Sequence, residues 1–491
     1  MSSVSAYLSQ HQPLTSDSVF VYLAECSAPM TDSLIHRFHQ CLNPDLLLQL
    51  ARDSGWCQRL RKIHPFEFLY SLVFGQLSAV HCTLNAQAQS LTLPVFRQAV
   101  DQRYTPAAVA YFQAAFTHTL KLTLEDQSPT PLAQLLQPHF AAVRLFDSTL
   151  LECDPGLAAL FPACGGRASP AGLKVLLSFE YTQSLFAPLA VLPSIRSDQG
   201  LAPAATRPVG RNELGIYDKG FYKGPALQDL AQRGGYFLIP YPHSVSVWQT
   251  DSRGQWQLLE LSSELNRVEG PLVQWSNLWL GQTASQLGPV RLVAFRLAEE
   301  NANRRRDALR KKCRAYGRTP TAQALVLAGW LLLVTNAPPE KLPTQAVGYL
   351  YRVRWQIELV FKQLKSIFRL EVLPSQNDSR VQCEIWARLL CALLLFGLHR
   401  HANTLCWAQH QREISFAKLA KLLRQLGYTL ARACFLGPDP LTQILNELWR
   451  KILKHTRKEH QNTRKTTWQN LCDHWLQPLK SRPVAADSYS I

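Results

Sequence analysis

Seven apolar residues recur at helical spacing within GYLYRVRWQIELVFKQLKSIFRL, residues 348–370: Leu350, Val353, Ile357, Val360, Phe361, Leu364 and Phe368. At about 100° per residue they fall on one stripe, so the stretch predicts a helix laid against a core. Tyr351, Arg354, Glu358 and Lys365 lie within roughly 60° of one another on the same helix. Their strip runs beside the apolar one, which puts Glu358 at the rim of a core rather than far out in water. Two readings are open from this helix alone. An Arg354–Glu358 pair on a solvated face would add roughly a few tenths of a kcal/mol. A functional strip would instead need these four residue types.

The chain has 491 residues, too many for one core, and about three domains are expected. A hydrophobic content of 47% with 12 Trp excludes a disordered protein. The net charge of +17 points to a polyanion as partner, because phosphate binding draws on many Lys and Arg. A membrane partner is not expected. No polybasic run flanks an anchor, and the apolar run LLCALLLFGL (389–398) is about half the length that spans a bilayer. The start, MSSVSAYLSQHQPL, has no charged region followed by an apolar one, so no secretory signal is read. The 12 cysteines are scattered without CxxC spacing, which fits free thiols in a reducing compartment and neither a zinc site nor a disulfide framework.

Residues 1–137 read as helices. Within them, 83–112 has the outline of a short helix, a turn and a second helix, as in helix-turn-helix modules, although any helical bundle can produce it. From 138 the pattern changes. HFAAVRLFDSTLLE predicts a strand ending at Asp147, 173–194 a hairpin turning at Thr182–Ser184, and NELGIYD a strand running into Asp218. A single Asp at a strand end is most often a turn former or cap. Two in adjoining strands, with Glu358 on a later helix, suggest more, because ligands gather at such strand ends. Between about 240 and 325, SVSVWQT, QWQLLEL and NLWLG predict short antiparallel strands. A basic helix follows, holding Arg304, Arg305, Arg306, Lys311 and Lys312, read as a phosphate-contacting face rather than merely a solvated one. GWLLLVTN (329–336) predicts a buried strand, and 373–491 is helical with a second basic run at 448–465.

Three carboxylates, Asp147, Asp218 and Glu358, form the set that holds two divalent metals roughly 3.5–4 Å apart in phosphodiester chemistry. Mg²⁺, with Mn²⁺ as an alternative, prefers such oxygen donors. The residues Tyr351, Arg354, Glu358 and Lys365 match Tyr-x2-Arg-x3-Glu-x6-Lys. With Asp147-Ser148-Thr149 and Asp218-Lys219-Gly220-Phe221, the chain resembles DDE transposases of the bacterial insertion-sequence-4 family over about 140–372. Lys219 departs from the arginine commoner there and leaves the acids intact.

The resemblance implies an α/β fold: an RNase H-like catalytic core (138–372) interrupted by a β-rich insertion, flanked by a helical DNA-binding domain (1–137) and a helical basic domain (373–491). It implies that Asp147, Asp218 and Glu358 are the catalytic metal ligands. Tyr351, Arg354 and Lys365 would hold phosphates, and Trp330 would stack on a flipped base. It further implies cut-and-paste transposition by strand cleavage and transfer, on double-stranded DNA comprising the element's terminal inverted repeats and target. A homodimer at synapsis and a cytoplasmic, nucleoid-associated protein follow from the same likeness. A DNA-binding protein that has lost catalysis is disfavoured by the intact acids. A metal-dependent nuclease of the same fold is disfavoured by the large insertion with Trp330.

Overall fold

The computed structural model describes residues 40–458 apart from 78–82, 126–135, 165–168, 284–285, 411, 426–428, 431–432, 434–435 and 437, together with 471 and 475. The expectations for 1–39, for most of 459–491 and hence for the end of the second basic run lie outside the described residues. Two compact units divide the chain, where three were expected. One comprises 1–127, 367–369 and 377–459; the other comprises 128–366, 370–376 and 460–491.

The first unit is helical. Helices Pro44–Asp53, Pro65–Val73 and Pro106–Glu125 come from one end of the chain, and Asp378–His410, Phe416–Arg424 and Pro438–His455 from the other. Proline at the start of the first three costs no internal hydrogen bond. Asn43 caps the first, its side chain accepting from the Asp45 and Leu46 amides. The core gathers around Trp56, which stacks on Phe68 at 5.1 Å and Tyr111 at 5.5 Å. The apolar run at 389–398 belongs to the helix Asp378–His410, which is long enough to cross a bilayer. Its most apolar window is 78% buried within the protein, the mark of a core helix. The helix-turn-helix outline at 83–112 resolves into three pieces: Leu84–Ser90, the 5-residue helix Arg97–Asp101 and the start of Pro106–Glu125.

Among the described residues, the second unit is built on one sheet of ten strands. They are β1 (Val143–Glu152), β2 (Gly172–Glu180), β3 (Leu185–Pro193), β4 (Leu214–Tyr217), β5 (Tyr236–Pro240), β6 (Ser246–Thr250), β7 (Trp256–Leu258), β8 (Leu272–Gly281), β9 (Leu287–Arg296) and β10 (Trp330–Thr335). Their order across the sheet is β3-β2-β1-β4-β5-β10-β9-β8-β6-β7. β1, β4 and β5 are parallel, and the hairpin β2–β3 and β10 run antiparallel to their neighbours. The strands expected between 240 and 325 continue this sheet beyond β10.

Side chains alternate along β1. Phe146 faces the helices Asp198–Thr206 and Gly224–Gln232, packing in one buried cluster with Leu176, Leu201, Ala205, Tyr217, Leu227 and Leu230. Phe146 stacks on Tyr217 at 4.8 Å. Full burial of each such side chain contributes about 1.5–3 kcal/mol. Asp147 faces the opposite way, toward the helix Trp355–Ser366.

Candidate active site

Asp147 is not at the end of its strand, as expected, because β1 continues to Glu152 by pairing with β2. The parallel partner β4 does end there: Phe146 is opposite Tyr217, and Asp218 follows. The first two acids are thus neighbours at the rim where parallel pairing stops. Asp218 is also the turn former that its sequence context allows. One of its oxygens accepts from the Gly220 amide at 3.4 Å, capping the short 3-10 turn Lys219–Phe221.

The helix expected over 348–370 is broken. It runs as Thr344–Arg352 and then Trp355–Ser366, with Val353 and Arg354 between. The amides of Val353, Arg354, Gln356 and Ile357 each bond the carbonyl three residues back, which tightens the coil locally and interrupts the α pattern. All seven stripe residues are nonetheless buried. The first segment is anchored by Gly348, where an added Cβ would lie 3.1 Å from Phe295 of β9. The loop ahead of it is held by Arg291 of β9, which donates to Ala337 O and Leu342 O, each at 2.8 Å. Gln274 of β8 accepts from both Arg291 and Thr344.

This scaffold brings Arg354 to the centre of the three acids. Its guanidinium donates to Glu358 at 2.6 Å and lies 3.8 Å from Asp147 and 4.0 Å from Asp218. The Tyr351 hydroxyl interacts electrostatically with the same guanidinium. Burial works against the Arg354 charge, yet Tyr351, Asp218 and Glu358 hold its pKa above the usual arginine value. Burial is also the main cause that lifts the Asp147 carboxyl to about 6; Asp218 and Glu358 add to it, while the Ser148 amide and Arg354 oppose it. Burial raises the Tyr351 hydroxyl to about 12, so it remains a hydrogen-bond donor. Lys365 lies on the same helix, with its ammonium 3.4 Å from Leu150 O and 3.7 Å from Glu371.

The donor set suits a hard dication: three carboxylates face one cationic group, and the guanidinium occupies the place of positive charge that they require. Among the described residues no three acid, histidine or cysteine side chains are close enough together to hold a metal ion. Arg354 is the group between them.

The remaining expected residues are less uniform. In the basic helix Glu299–Ala315, Arg304 pairs with Glu300 and Arg306 with Glu299. Arg305 turns inward and donates to Trp330 O at 3.1 Å. Lys311 and Lys312 are exposed near its C-terminal end. Trp330 corrects an expectation. Its indole is 4% exposed, packed in the sheet core with the Arg296 guanidinium 4.4 Å over the ring, because β10 is an interior strand paired on both sides. The exposed indole in this region is Trp355, 56% exposed and adjacent in sequence to Arg354. Sequence reasoning passed over it, although its place beside the polar strip was visible.

The transposase DDE domain family matches residues 138–395, more than half of the chain. The transposase for insertion sequence element IS231E of Bacillus thuringiensis subsp. finitimus is 25% identical over 458 residues, covering 88% of this chain and 93% of the relative. The transposase for insertion sequence element IS1151 of Clostridium perfringens is 24% identical over 446 residues, with 86% and 92% covered. A shorter stretch of 107 residues is 38% identical to the putative transposase InsL for IS186A of Escherichia coli K12, covering 22% of this chain and 29% of that one. The sheet, the acids at its rim and this match lead to one conclusion: the chain belongs to the DDE transposase family and is an enzyme of DNA cleavage and transfer.

Proposed function

We propose that this protein moves an insertion sequence by cut-and-paste transposition, nicking the element ends, forming hairpins and transferring the strands to target DNA. One observation carries the reading. Asp147 on β1, Asp218 just past the end of the adjacent parallel strand β4, and Glu358 on a separate helix all face a single guanidinium. The β3-β2-β1-β4-β5 half of the sheet supports an RNase H-like core, with β6–β9 as its β-rich insertion. The Tyr351, Arg354, Glu358 and Lys365 spacing supports membership of the insertion-sequence-4 group.

Asp147, Asp218 and Glu358 are the residues that would hold divalent metal, Mg²⁺ in the cell. When bound there, the metal supplies activation of water or a 3′-hydroxyl and stabilisation of the leaving oxygen. The chain's own cations position the DNA. Arg354, released from the acids, offers a planar fork to a phosphate, and Lys365 offers a point charge. Tyr351 stays protonated and donates to a phosphate oxygen. Lys311 and Lys312 extend the contact along the duplex. The helical residues of 1–137 would bind the terminal inverted repeats, and synapsis of two ends would use a homodimer at the nucleoid.

Alanine at Asp147, Asp218 or Glu358 should abolish metal-dependent cleavage and strand transfer while leaving binding to the element ends largely in place. Carboxylates hold metal, whereas affinity for DNA comes mostly from basic residues. Supercoiled plasmid carrying the element ends, assayed for nicks, hairpins and joined products, separates the outcomes. Cleavage near the wild-type rate in any one mutant removes that residue from the site, and hydrolysis without joined products in the wild type replaces transposition with nuclease action.

A further inference from the structure

Ser148, next to the first acid, is held from both sides. Its amide donates to Asp147 Oδ1 at 2.8 Å, and its hydroxyl donates to Asp198 Oδ1 at 2.7 Å. The same Asp198 oxygen accepts from Lys174 Nζ at 3.0 Å. Lys174 lies in β2 with its side chain only 10% exposed, so its charge is matched within the protein rather than by water. Asp198 opens the helix Asp198–Thr206, which Ser197 caps.

Asp198 also lies against the turn that carries the second acid. A Cβ at Gly220 would be 3.4 Å from Asp198 Cβ and 3.5 Å from its Oδ2, an ordinary packing distance that places Asp198 directly beside this turn. The next residue, Gln199, donates to Tyr222 O at 3.3 Å. One helix start therefore touches both acid-bearing segments, on the sheet face away from Glu358.

We propose that Asp198 is a positioning residue for Asp147. With Lys174 it fixes the Ser148 hydroxyl, and through the Ser148 amide it fixes the rotamer of the Asp147 carboxylate toward Asp218 and Glu358. Groups that orient metal ligands in this way are worth about 10–100-fold in metal affinity. The proposal rests on Asp147 being a metal ligand.

The test is Mn²⁺ binding to the full chain without DNA, followed by electron paramagnetic resonance, in wild type, D147A, D198N, S148A and K174M. Asp198→Asn and Ser148→Ala should each weaken binding by about tenfold or more, with melting temperatures near wild type. The double variant should lose little beyond either single one, since both weaken the same connection, Asn by removing its charge and Ala by removing its hydroxyl. Lys174→Met separates positioning from simple charge. Removing a nearby positive charge would tighten Mn²⁺ binding, whereas loss of positioning weakens it. Wild-type affinity in folded S148A and D198N, with D147A impaired, overturns the proposal alone. Tighter binding in K174M does the same. Wild-type affinity in D147A overturns the reading beneath it, and the proposal with it.

Discussion

The shortest approach within the acid cluster is between two residues of the signature strip itself: Arg354 donates to Glu358 at 2.6 Å. The pair that looked like an ordinary helix-surface contact is the edge of a four-charge cluster that includes Asp147 and Asp218. Without a cation, three carboxylates at one focus repel one another, and Arg354 supplies that cation. Under the proposed function, metal and guanidinium would compete for the same carboxylates. Arg354→Gln should tighten Mn²⁺ binding to the DNA-free protein several-fold, and a metal-induced rise in melting temperature should exceed that of wild type. Cleavage should fall in the same variant, because a glutamine lacks the charged planar fork that the proposed phosphate contact uses. Mn²⁺ affinity equal to or weaker than wild type would rule out the competition.

The raised Asp147 carboxyl links stability to pH. The folded protein binds this proton with a pKa of about 6, against 3.8 for the unperturbed carboxyl. Ionising Asp147 thus opposes folding, and the opposition develops as pH climbs between those two values. Asp147→Asn removes it. In metal-free buffer the variant and wild type should melt alike near pH 4, and the variant should be more stable at neutral pH by on the order of 2–3 kcal/mol. Melting curves across this range, with chelator present, give the comparison; a gap that does not vary with pH would assign it to packing.

The basic helix should divide into two functional halves. Arg304 and Arg306 are already paired with Glu300 and Glu299, whereas Lys311 and Lys312 are exposed. Neutralising the two lysines should lower the log–log salt slope of duplex binding by up to about 0.9 for each phosphate that no longer meets a cation. Neutralising Arg304 and Arg306 should change it less. Filter-binding titrations between low and moderate salt would reveal the difference, and equal effects would mean the acids release both arginines on binding.

Trp330 should behave as core. Its burial predicts that Trp330→Ala lowers stability by about 3–5 kcal/mol, with a matching fall in melting temperature. A variant that melts like wild type yet forms no hairpins would restore the stacking role to this residue.

Much of the fold was legible because its signals are periodic. Apolar runs flanking a turn marked β2 and β3, alternation marked the strands between about 240 and 325, and the 100° spacing identified the seven buried stripe residues beside Glu358. The misses are of another kind. The break at Val353–Arg354 is a local switch to tighter hydrogen bonding that residue spacing does not encode. The length of β1 beyond Asp147 depends on pairing with β2; the buried strand at 329–336 was legible, and the depth of Trp330 within it follows from β10 having neighbours on both sides. Asp198 reads in sequence as an ordinary first-turn acid behind its Ser197 cap. Only folding brings it from 50 positions away to Ser148. The Glu300–Arg304 pair, by contrast, is a plain i, i+4 spacing and was there to be read.

The pairing of β10 with β9 bears on modularity. A shortened enzyme made by replacing 241–325 with a linker would strip β10 of one partner and turn an interior strand into a raw edge. Such an edge, carrying WLLLVT, offers unpaired backbone groups to any other chain and invites aggregation. The same cut would remove Arg291, Gln274 and Phe295, and with them the anchor of the helix that leads to Arg354 and Glu358. The β-rich segment is thus a structural wall of the catalytic unit. Transplanting it between relatives should succeed only when β9 and the loop at 337–342 travel together.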